Sequence, residues 1–108
     1  MNRQNDLLAI FKRAGLTPDW KWQGTVLSSQ VGHYCRCAYH ARTYPENEKA
    51  LIADARRALG DLAVQIQLCC AMMHIDFEEV FMEGFLAFRD QMTDATRKRD
   101  EILEQKES

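Results

Sequence analysis

The sequence predicts an all-α fold in which four antiparallel helices with short connections form one bundle. Three observations predict it. Apolar residues recur at intervals of three and four along most of the chain. The two prolines and Gly15 fall near the ends of those periodic stretches. No stretch alternates apolar and polar residues for long between turn signals. The 108 residues suffice for a single domain with one modest core.

The first helix is expected at about 5–14, "NDLLAIFKRA", with Leu7, Leu8, Ile10 and Phe11 as its apolar side and Gly15 placed to end it. "TPDW" reads as a start signal. Thr17 can cap, Pro18 suits the first helical position, and Asp19 complements the dipole. The second helix then covers about 18–42, with Trp20, Gly24, Leu27, Val31, Tyr34, Ala38 and Ala41 as its stripe. "TYPENEK" is the turn to a third helix at about 46–74. Its stripe is Leu51, Ala55, Leu59, Leu62, Ile66, Cys70 and Met73. "LAVQIQLCCAMM" is apolar nearly all round, which makes this the central helix. "HIDFEE" turns the chain, with Asp76 and Glu79 at capping-box spacing. The fourth helix covers about 77–100, with Val80, Phe81, Gly84, Phe85 and Phe88 facing inward. The charged end, "TRKRDEILEQKES", is expected to fray.

Composition narrows the function classes. Apolar residues make up 46% and charged residues 28%, ordinary values for a soluble globular chain. Fourteen basic against sixteen acidic residues give a net charge of −2, which offers no electrostatic footprint for nucleic acid or an anionic membrane. No apolar run is long enough to span a bilayer, and the first residues lack the h-region and cleavage site of a signal peptide. The expectation is a cytoplasmic protein. Cys35 and Cys37, and Cys69 and Cys70, lie too close in sequence to bridge easily within a helix, which argues against a disulfide framework. A chain this small leaves much apolar surface uncovered, so a homo-oligomer, dimer or tetramer, is expected.

Residues 58–92, "ALGDLAVQIQLCCAMMHIDFEEVFMEGFLAFRDQM", resemble the second half of the MazG-like all-α nucleoside triphosphate pyrophosphohydrolases. "KWQGTVLSSQVGHYCRCAY", from Lys21, is similar to that family's preceding helix, and the similarity spans about 17–92. The resemblance implies a MazG-like bundle, cleavage of a nucleoside triphosphate to the monophosphate and diphosphate, and Mg²⁺ held by E-E-x-x-E on one helix and E-x-x-D on the next. Mg²⁺ is a hard cation that bridges carboxylates to substrate phosphates. On this chain the first motif falls on Ser29, Gln30, Val31, Gly32 and His33, and the second on Ala58, Leu59, Gly60 and Asp61. Of five acidic positions only Asp61 keeps a carboxylate. The departure argues against the family's usual hydrolysis.

Several constellations carry alternatives. Asp61 and His33 can form a general-base pair acting on water, or a polar bridge across the former metal site. His33, Cys37 and His40 stand at i, i+4 and i+7, and with Asp61 could bind a transition metal. The plainer reading is two boundary histidines and a small buried cysteine. Gln30, Lys21, Arg36 and Arg57 are the candidates for meeting triphosphate oxygens, against a solvated helix surface. The cysteines read as redox-sensing thiols or, more simply, as small hydrophobes. Three functions follow: a divergent pyrophosphohydrolase with an altered metal arrangement, a catalytically silent relative binding a nucleotide or other phosphorylated ligand, or a helical interaction protein that kept the scaffold.

Overall fold

The computed structural model describes residues 2–107, all of which belong to helices or to the short connections between them. They form two compact units, the first running to Phe77 and the second beginning at Glu78. The first holds helices α1 (Arg3–Arg13), α2 (Trp20–Thr43) and α3 (Glu48–Met72), with a 3₁₀ turn at Pro45–Asn47. The second is the greater part of one long helix, α4 (Phe77–Glu107).

Local chemistry sets the helix ends. Asn2 caps α1 by accepting a hydrogen bond from the Gln4 amide at 3.1 Å, and Asp6 near its start and Lys12 and Arg13 near its end complement the dipole. Gly15, at φ +83°, then turns the chain away, a conformation that costs a side chain energy and glycine almost none. Asp19, not Thr17, caps α2. Its backbone is extended and its carboxylate accepts from the Lys21 amide at 3.1 Å, so the helix starts at Trp20 and Pro18 lies outside it. The charged end of α4 is helical through Glu107 rather than frayed. Arg97 pairs with Asp94 and Glu101, and Lys98 with Asp94, at the three- and four-residue spacings that support an exposed helix.

The end of α3 is a Schellman closure. The Ile75 amide donates to the Cys70 carbonyl at 3.0 Å and the His74 amide to the Ala71 carbonyl at 3.2 Å. His74 occupies the left-handed position, φ +58°, that glycine usually fills. Gln4 of α1 locks this turn from outside. Its side-chain amide donates to the Ile75 carbonyl at 2.6 Å and accepts from the Phe77 amide at 2.6 Å. Gln4 is thereby buried with its polar atoms satisfied.

Both α1 and α2 pack on α3, which is therefore the centre of the first unit. The buried apolar residues are small or modest: Cys37, Ala58, Leu68, Cys70, Ala71 and Met72. No large side chain among the described residues is fully buried. The phase of both long helices differs from the sequence expectation. The α2 side turned to α3 carries Gln23 and Cys37, with Val26, Leu27, Gln30 and Ala41 half-buried, while Trp20 and Val31 are exposed. On α3 the covered side runs through Leu51, Ala55, Ala58, Leu62, Gln65 and Met72, while Leu59, Ile66 and Met73 are exposed.

Candidate functional site

The α2–α3 hairpin fixes where every candidate residue can stand. The Gln23 side-chain amide donates to the Gln65 side-chain oxygen, tying the start of α2 to the last third of α3. At the other end, Tyr34, Cys37, Ala38 and Ala41 line one cavity of about 120 Å³ with Glu48, Leu51, Ile52 and Ala55. The helices are antiparallel. With Gln23 level with Gln65, Gln30 lies level with Ala58, Leu27 with Asp61, and His33 with Ala55.

This register separates the expected pair. His33 and Asp61 are displaced by six residues, about 9 Å along the hairpin. They share no hydrogen bond or ion pair among the described residues. The expected polar bridge is absent, and both side chains are half-buried, so each keeps access to water instead of needing the other.

The resemblance would put Mg²⁺ between the positions of Gln30 and Ala58, and the residues there do not fit it. Ala58 has no exposed surface at all, so the helices close over its methyl group where a carboxylate would have to stand. Asp61 supplies one carboxylate, and one cannot balance a divalent ion bridging phosphates. Among the described residues no group of three or more His, Cys, Asp or Glu side chains is placed to hold any metal ion. That covers the His33, Cys37, His40 and Asp61 set. Cys37 is buried in the interface, whereas His40 is exposed and packs between Tyr39 and Tyr44, ring centroids 5.9 and 6.4 Å away.

Lys21, Arg36 and Arg57 are all exposed. Lys21 and Arg36 are fifteen residues apart on α2, about 22 Å along the axis, too far to converge on one triphosphate. Lys21 instead lies over the Trp20 ring, 5.8 Å from its centroid. All four cysteines are thiols. Burial pushes the Cys69 and Cys70 thiols above their ordinary value, reinforced by Cys70 beside Cys69 and by Asp76 beside Cys70. A raised pKa keeps a thiol protonated and unreactive, the opposite of a redox sensor.

The polar residues that matter structurally are the buried Gln4 and Gln23 and the half-buried Gln65, none of which the motifs single out. One signal was present: Gln23, Gln30 and Cys37 recur every seven residues, a polar-tinged stripe beside the apolar one. No single helix among the described residues is long and apolar enough to cross a membrane. Comparison of the chain with protein-family models, curated proteins and solved structures finds no match.

Proposed function

We propose that this chain is a catalytically silent, MazG-like helical protein that acts through its surfaces, as an interaction scaffold, and not through bond cleavage. The observation that carries this reading is the fully buried Ala58 level with Gln30. Close helix packing occupies the place where the resemblance would put a carboxylate cage. The likeness of residues 17–92 to the pyrophosphohydrolases supports common descent of the helical pattern, while the loss of four of five acidic positions supports loss of the reaction.

Nucleotide binding without turnover has less in its favour. The cavity within the hairpin, about 120 Å³, is well below the ~300–1,000 Å³ of usual ligand pockets. The exposed large apolar side chains, by contrast, extend along α2, α3 and α4.

Two measurements on the full chain test the reading. A panel of NTPs and dNTPs with Mg²⁺ or Mn²⁺ should release no diphosphate above the blank. Turnover that disappears in Asp61→Asn would overturn silence. Thermal unfolding with the same panel should show no stabilisation. A saturable rise in Tm with any nucleotide would replace the scaffold by a ligand-binding protein.

A further inference from the structure

Helix α1 is attached to the first unit on one side only. It packs on α3 and makes no comparable contact with α2. Its covered face is Gln4, Leu7, Leu8 and Phe11, at helical steps of three, one and three. Of these only Gln4 is buried, and the three apolar side chains are half-buried. Ile10 and the following Leu16 are 56% and 54% exposed. Three part-covered apolar side chains and the two Gln4 hydrogen bonds therefore hold the helix in place. Of residues 14–19, which join it to α2, all but Pro18 are exposed, and Gly15 sits among them at φ +83°.

What α1 covers is the end of α3. With Gln23 level with Gln65, Trp20 at the start of α2 lies level with Leu68. Cys70, Ala71 and Met72 thus stand beyond the reach of α2, yet they are only 3–8% exposed. Gln4 fastens α1 to the backbone at Ile75 and Phe77, immediately past these residues, which makes α1 their cover. Cys70 is shielded by the least firmly held helix of the unit, whereas Cys37 is shielded within the α2–α3 hairpin itself.

We propose that α1 is a strap, hinged around Gly15 and latched by Gln4, that gates access to the Cys70 thiol by swinging off α3 while the α2–α3 hairpin stays folded. A short exposed segment with a glycine in the left-handed region can absorb the backbone change of such a hinge. An eleven-residue helix is marginal in isolation, so α1 unravels once released and its amides lose protection in the same event. Burial holds the closed thiol above its ordinary pKa, so opening raises reactivity through access and ionisation together. The strap goes beyond the scaffold reading and does not depend on it.

Alkylation of the full chain by iodoacetamide at pH 8, dilute enough that reclosing outpaces labelling, reads the opening at Cys70. Fragment masses tell Cys70 from Cys69. Gln4→Ala should speed Cys70 labelling about tenfold, because it weakens the latched state alone. Ala58→Gly loosens the α2–α3 contact in the latched and unlatched states alike, and should change that rate by less than about twofold. Equal acceleration by both variants overturns the strap, since Cys70 is then reached only through global unfolding. Acceleration by neither overturns it too. The wild type keeps the test decisive should a variant fail to fold. Its Cys70 labelling, and exchange of the amides of residues 7–11, should hardly rise with urea below the unfolding transition, because opening exposes little surface. A rise in either with the full urea dependence of global unfolding overturns the proposal.

Discussion

Gln4 spans the turn before α4 with two hydrogen bonds of 2.6 Å, one given and one received. Truncating it to alanine removes both from a buried site, and Gln4→Ala should cost about 1–3 kcal/mol in urea denaturation. The thiols give a second expectation at this scale. Because the folded state raises the Cys69 and Cys70 pKa values, it holds their protons more tightly than the unfolded chain does. Their contribution to stability is complete below the unfolded thiol value, about 8.5, and is lost as pH rises through the higher folded values. The urea midpoint should therefore fall between pH 7 and pH 10 by more in the wild type than in Cys69→Ala/Cys70→Ala. Pulsed alkylation at pH 8 followed by mass spectrometry should label exposed Cys35 first and Cys37 and Cys70 last. None of the residues that hold the fold by hydrogen bonding was legible as such in the sequence. Gln4 differs from the exposed glutamines only in having the Ile75 carbonyl and Phe77 amide within reach, and those lie over seventy residues away.

The helices themselves were legible, because periodicity and punctuation are local properties. All four begin within two residues of their expected places, and α1 to α3 also end there, while α4 runs seven residues beyond its expected end. The caps moved by one or two residues, since Thr17 and Asp19 carry the same capping chemistry and only the extended backbone at Asp19 decides between them. The phase of α2 and α3 was not legible. Their apolar arcs are wider than one contact, so spacing alone cannot say which edge the neighbour takes. The Gln23–Gln65 pair shows which edge it took, and it tests as a unit. Gln65→Leu alone strands the buried Gln23 amide and should cost about 1–3 kcal/mol, whereas Gln23→Leu leaves the half-buried Gln65 amide access to water and should cost less. The double variant should recover most of that loss in a double-mutant cycle. At the α3 terminus, His74→Gly should stabilise by up to about 1 kcal/mol, read as a rise in the urea midpoint, because glycine adopts φ +58° without the steric cost. The candidate site failed at this scale too: the motif positions align by pattern, but the register sets His33 and Asp61 six residues apart.

For the whole molecule, the large apolar side chains exposed along α2, α3 and α4 connect the scaffold reading to association, which a concentration series tests. If two copies fold as one, stability must depend on protein concentration, and each tenfold dilution should lower it by about 1.4 kcal/mol of dimer. Calorimetric Tm measured across a hundredfold concentration range checks this, and a constant Tm would count against it. The Gln4 lock has another consequence, for the order in which the protein is made. Both backbone partners of Gln4 lie at the far end of the first unit, so α1 leaves the ribosome before α2 and α3 and is anchored only after them. The α2–α3 hairpin brings its partners together over shorter separations and can assemble earlier. Nascent chains halted before residue 75 should therefore expose α1 to protease, and chains released past residue 77 should shield it.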